Sequence, residues 1–160
     1  ERAALAELEG EERRRAEEQI RQKECNEIQA QIENLELGKR EFLSQIFGIQ
    51  DELSRLAQEH KRRLEQDGAR RNAQRLDAVV SILRAIGRNA PTGRVIEAIR
   101  SSVTFLIELA KETSEFNEIV ETAIELRRNM DLLVEQFDNL DAAQKKLRER
   151  ARALSCDIIF

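Results

Sequence analysis

The chain contains no tryptophan and no tyrosine, and only one methionine, one histidine, one proline and two cysteines. Each scarcity excludes something. Aromatics at 4% leave too little bulk for a thick, layered core. With Pro91 as the sole proline, helices elsewhere can run without an imposed break. A lone histidine, His60, with two distant cysteines, Cys25 and Cys156, gives neither a zinc ligand set nor a disulfide framework by spacing. It also excludes the Glu-x-x-His ligands of a di-iron bundle, even though Glu121 and Glu125 lie on one helical face. The longest apolar stretch, Val103 to Ala110, is interrupted by Glu108, whereas a spanning helix needs about 20 apolar residues. No early apolar run marks a signal peptide. The expectation is a soluble, cytoplasmic chain with free thiols, because two isolated cysteines are ordinary in a reducing compartment. The C-terminal Cys156-Asp157-Ile158-Ile159-Phe160 misses a prenylation end by one position, since the modified cysteine must be fourth from the terminus. The chain begins with Glu1 and not Met, and reads as an excerpt or processed product.

What is abundant is charge, at 36% of the residues, together with Leu, Ile, Ala, Glu, Arg and Gln. Ordinary domains carry roughly 25% charge, and this mixture is that of long helices and coiled coils. The pattern agrees. Ile28, Ile32, Leu35, Phe42, Ile46, Ile49, Leu53 and Leu56 alternate spacings of four and three, with Lys39 filling one slot. Cys25 and His60 extend this seam at its two ends. Leu43, Phe47, Ala57 and Leu64 widen it, which points to more than one partner helix there. A second seam runs through Ile119, Ala123, Leu126, Met130, Leu133, Phe137, Leu140, Gln144, Leu147, Ala151 and Leu154. The two seams match in length, and each holds a polar residue, Lys39 or Gln144, which reads as tolerated seam polarity or, alternatively, as register selection.

Two shorter segments lie between them. Leu76, Val79, Val80, Leu83 and Ile86 mark one helix, bounded by Asp67-Gly68 and Gly87. Asn89 to Gly93 forms a loop, with Asn89 or Thr92 as candidate cap and Pro91 in or next to the first turn. Ile96, Ile99, Val103, Leu106 and Ala110 then give the next helix its apolar stripe. Near Thr113 to Phe116 the heptad phase slips. Either the helix continues through a stammer, or it stops and Thr113 or Ser114 caps a new one. With a turn, the helices run 25–66, 68–87, 92–113 and 115–155, and the two long seams meet antiparallel. Residue 60 then faces residue 119, and Cys25 comes close to Cys156, so that a crosslink between them is the alternative to free thiols and would support the antiparallel arrangement. Without it, residues 92–155 form one helix of roughly 95 Å at 1.5 Å per residue, parallel to the first. The expected class is all-α. It is an elongated helical bundle or coiled coil with two long helices and a shorter hairpin between them, in one version a four-helix head on an antiparallel stalk. Residues 1–24, with sparse Leu5, Leu8, Ala16 and Ile20 among charges, read as a solvated helical extension, and 25–160 as one domain.

Charge is distributed unevenly. Residues 1–60 carry a net −6, residues 61–100 a net +6 and residues 101–160 a net −4. The basic block comprises Lys61, Arg62, Arg63, Arg70, Arg71, Arg75, Arg84 and Arg88, followed by Arg94 and Arg100. One reading is internal, a basic helix packed between acidic ones. The other is an exposed tip that meets an acidic protein, anionic lipid or nucleic acid. Nucleic acid is disfavoured because no aromatic lies in 61–100 to stack on bases. No nucleophile–base arrangement and no phosphate-cradling glycine loop is present. Carboxylates recur at spacings of three and four among arginines, as on a solvated face. The sequence therefore predicts no enzyme, cofactor, metal or small-molecule substrate. It predicts a scaffold or interaction module acting through long helices on a protein partner or on itself. The alternative is the helical body of a membrane-active protein, such as a pore-forming toxin or a remodelling factor, with 61–100 at an anionic surface.

Overall fold

Five helical elements account for nearly all of the backbone: α1 (Arg2–Gln66), α2 (Arg70–Arg84), α3 (Thr92–Glu112), a 3-10 turn (Ser114–Phe116) and α4 (Asn117–Ala153). The computed structural model describes residues 2–87 and 89–159, with side chains from Ala4 on. Among the described residues no strand occurs. The protein is an all-α helical bundle. Arg88 and Phe160 lie outside the described residues.

The helix ends follow from local chemistry. α1 stops in a Schellman turn, because Gly68 takes φ +80 at negligible steric cost. The Ala69 N–H reaches Leu64 O at 2.8 Å and the Gly68 N–H reaches Glu65 O at 3.2 Å. Before α3, neither Asn89 nor Thr92 supplies the expected side-chain cap. Pro91 occupies the N-cap with extended geometry, and its carbonyl accepts from the Arg94 N–H at 2.9 Å. The phase slip after α3 is a real break. Thr113 is fully extended, and its side chain accepts from the Glu115 N–H at 3.4 Å. The continuous 92–155 helix is thereby excluded.

The chain divides into two units, residues 41–137 and residues 1–40 with 138–160. The first is built from four helical segments. Ile46, Leu53, Ala57, Leu76, Val79, Ile99, Val103, Leu106, Phe116, Ala123 and Met130 form its core. α3 and α4 are joined by the short 3-10 turn, and the pairing of Arg100 with Asp131 at 3.0 Å, at similar distances before and after it, is that of antiparallel helices. Two buried polar side chains tie this core to backbone. Gln50 Nε2 donates to Leu83 O at 2.7 Å, serving the otherwise open C-terminus of α2. His60 Nε2 lies 2.7 Å from Glu115 O, and its ring sits 5.9 Å from that of Phe116. His60 thus fastens the 3-10 turn to α1.

The second unit pairs the N-terminal part of α1 with the C-terminal part of α4, antiparallel. Ile28, Ile32 and Ala151 are its buried apolar set, flanked by Leu147, Leu154, Cys156 and Ile158. Cys25 and Cys156 form a disulfide with Cα atoms 5.5 Å apart. The expectation of free thiols is corrected here. The antiparallel pairing brings the two residues close, and the chain after α4 folds back to complete the approach. That fold-back is a second Schellman turn, with Ser155 at φ 56 and the Cys156 N–H on Ala151 O at 2.8 Å. Arg21 caps it, donating from Nη1 to Leu154 O at 3.2 Å and Ser155 O at 3.0 Å.

Candidate functional site

The basic block is the segment to which the charge count assigned contacts, and its side chains have different fates. Lys61 Nζ bonds Asp77 of α2, which raises its pKa above the ordinary lysine value. Arg63 pairs with Glu118 at 2.8 Å, and Arg75 with Glu112 of α3. Arg100 is held by Asp131. Arg84 reaches the amide oxygen of Gln58 with two nitrogens, at 2.6 and 3.1 Å, once that amide is turned toward the guanidinium. Four of these cations therefore meet carboxylates inside the same unit.

Arg62, Arg70 and Arg71 are different. All three are exposed, and among the described residues none makes an ion pair; the same is true of Arg94, and Arg84 meets only the Gln58 amide. Arg62 lines an open groove of about 530 Å³ with Gln58, Lys61, Glu65, Asp77 and Arg84. Arg70 and Arg71 line a second groove of about 480 Å³ with Arg75, Glu112 and Glu115, whose carboxylate is bonded by Asn72. The end of the hairpin is consequently of mixed sign. Arg62, Arg63, Arg70, Arg71, Arg75 and Lys111 stand among Glu65, Asp67, Glu112, Glu115 and Glu118. At this end of the hairpin six cations stand with five carboxylates, whereas Arg84 and Arg94 of the same basic segment lie outside that group.

The other candidate surface is the N-terminal part of α1. Residues 4–20 are exposed throughout except for Gly10. Leu5, Leu8 and Ile20 are 60%, 55% and 61% exposed. Arg21 bonds the carbonyls of Leu154 and Ser155 just past the end of α4. Its guanidinium is also bonded by Glu18, whose carboxyl is thereby held below its ordinary pKa.

Among the described residues no cluster of His, Cys, Asp and Glu has metal-binding geometry, and no helix is long and apolar enough to cross a membrane. Sequence reasoning missed two well-built polar features, the Gln50 contact to α2 and the Arg21 cap on α4. Neither has a local signal, because the acceptors are backbone carbonyls far away in sequence.

No known protein family, curated protein or solved structure matches the chain.

Proposed function

We propose that the chain is a structural or protein–protein interaction module that works through coiled-coil pairing of its long helices. The observation that carries this reading is the state of α1 over residues 4–20. The helix continues for several turns with Leu5, Leu8 and Ile20 in solvent and dense alternating charge around them. A helix of such composition is stabilised by its own charge pairs and keeps its apolar residues for a partner. Sedimentation of the chain over a wide concentration range, beside the Leu5→Glu/Leu8→Glu/Ile20→Glu variant, tests it. Concentration-dependent association, lost in the variant, is expected. A monomer at every concentration, with amides of 4–20 exchanging like an unstructured peptide, contradicts it.

A second reading, a membrane-active helical body, draws support from Arg62, Arg70 and Arg71, which keep unpaired charge at one end of the hairpin. Juxtamembrane basic residues contribute about 1 kcal/mol each toward anionic lipid. Reversing these three charges should abolish binding to anionic vesicles on this reading and leave folding intact. The cytoplasmic placement drawn from two scattered cysteines loses its ground now that they are bonded, since disulfides persist in oxidising surroundings.

A further inference from the structure

The tail beyond α4 is tied to α1 by four contacts of different kinds. Cys156 is bonded to Cys25. Arg21 holds the carbonyls of Leu154 and Ser155. Ile158 packs against the Ile28, Ile32 and Ala151 set. The Ile159 N–H donates to Gln29 Oε1 at 3.3 Å. The two halves of the disulfide are unequal. Cys25 is 6% exposed, whereas Cys156 is half-buried and lines an open depression of about 390 Å³. Arg148, Arg152, Asp157 and Ile158 line the same depression.

Thiol–disulfide exchange is decided by access, by which sulfur is attacked and by the local field. A thiolate must approach the attacked sulfur directly, and of the two cysteines Cys156 lines the depression whereas Cys25 is buried. The lining carries the guanidinium groups of Arg148, which also acts on Asp141, and of Arg152, beside the carboxylate of Asp157, and Arg152 is the cation offered to a negatively charged reagent. We propose that the Cys25–Cys156 bond is a thiol-exchange site, entered at Cys156 and suited to a small thiol that carries carboxylates.

The step is a two-electron exchange. The thiolate of the incoming molecule attacks Cys156 Sγ. A new sulfur–sulfur bond forms there, the Cys25–Cys156 bond breaks, and its electron pair goes to Cys25 Sγ. Cys25 takes up, through solvent, the proton that the attacking thiol lost. A second molecule of the same thiol resolves the mixed disulfide, leaving Cys156 reduced and the reagent as its own disulfide. The tail is then held to α1 by the Arg21, Gln29 and Ile158 contacts alone.

The intact oxidised chain, treated with limiting glutathione, quenched with iodoacetamide and mapped by mass spectrometry, tests the assignment. Glutathione should appear on Cys156 and the alkyl group on Cys25, with a preference of about tenfold or more. Arg152→Gln should slow reaction with glutathione several-fold while leaving neutral 2-mercaptoethanol within about twofold of wild type. After opening, the amides of residues 156–159 should exchange faster while those of α1 over 28–39 stay protected. Adducts divided equally or favouring Cys25 overturn the proposal. So does an equal response of both thiols to Arg152→Gln, or a bond that opens only at the rate of global unfolding in urea. A chain isolated without reductant and carrying two free thiols overturns it as well.

Discussion

Lys39 Nζ donates a hydrogen bond to Gln144 Oε1 at 2.9 Å, joining the one polar slot of each apolar seam. Gln144 is fully buried and has its whole amide satisfied, since Nε2 donates to Ile32 O at 3.1 Å and to Glu36 Oε2 at 2.9 Å. Lys39 also reaches Asp141 at 2.8 Å. A one-turn slip of α4 along α1 would break these bonds and leave the Gln144 amide unsatisfied, a cost that is expected to hold the register of this unit.

Gln144→Leu alone should cost about 1–3 kcal/mol, because Lys39 loses a partner in a half-buried place. Adding Lys39→Met should recover much of that loss, since an apolar pair of similar volume fits the seam. Urea denaturation of the four proteins should return a coupling of about 1 kcal/mol or more. The double variant should also reoxidise to the Cys25–Cys156 bond in lower yield, because register is then less strictly imposed. Strict additivity of the two single changes would show that the hydrogen bond is incidental.

Asp141 provides a pH signature. Its hydrogen bond from Lys39 holds the carboxyl below the ordinary aspartate value of 3.8. A depressed carboxylate contributes stability that is complete above its unfolded-state pKa and is lost as pH falls through the lower, folded-state value. The side chain is 56% exposed, so solvent screening limits the contribution to about 0.5 kcal/mol. Wild type should therefore lose slightly more stability than Asp141→Asn between pH 5 and pH 2, measured by thermal melts across that range.

The junction before α4 depends on His60 and Phe116. Phe116 is fully buried and should cost about 3–5 kcal/mol when cut to alanine. His60→Ala removes the contact to Glu115 O and one side of the aromatic pair, and should cost about 1–3 kcal/mol. Its effect on hydrogen exchange should concentrate at residues 113–119. Uniform loss of protection along α1 would place the role of His60 elsewhere.

Two glycines inside α1 give opposed expectations from one substitution. At Gly48 an added methyl group meets nothing within 4 Å, so Gly48→Ala should gain about 1 kcal/mol of helix propensity. At Gly38 the new carbon would stand 3.0 Å from Leu140 Cδ1, and the leucine must yield. Gly38→Ala should gain clearly less than Gly48→Ala in chemical denaturation.

The sequence disclosed the elements that depend on periodicity. Ile28, Ile32, Ile46, Leu53, Ala123 and Met130 are all buried at the positions their spacing assigned. The slip at Thr113 marked a true break, although nothing local distinguished a turn from a stammer, since no glycine or proline stands there. The Ser155 turn was invisible for a related reason, a non-glycine residue in the left-handed region. The nearness of Cys25 and Cys156 was derivable from the matched seams, but their bonding was not, because a separation of 131 residues carries no spacing signal. The basic block misled in one respect. A count along the chain registers Arg63 and Arg75 as surplus charge, whereas Glu118 and Glu112, from outside the block, reach them only after folding. Among the described residues Arg62, Arg70, Arg71, Arg84 and Arg94 keep charges that no carboxylate pairs.

The Gln50 bond to the Leu83 carbonyl carries a consequence for the order of assembly. α2 has 15 residues, Ala69 at its N-cap without a side-chain cap, and no acidic residue in a first turn that holds Arg70 and Arg71. Isolated helices of that length are marginal in water, and cations at the N-terminus oppose the helix dipole. Its C-terminal carbonyl is satisfied from α1, and its apolar face is covered by the neighbouring helices. α2 is therefore a dependent helix, whose appearance in time waits on α1. In a refolding experiment its amides should gain protection after those of α1 around residues 46–57, and Gln50→Ala should delay them further.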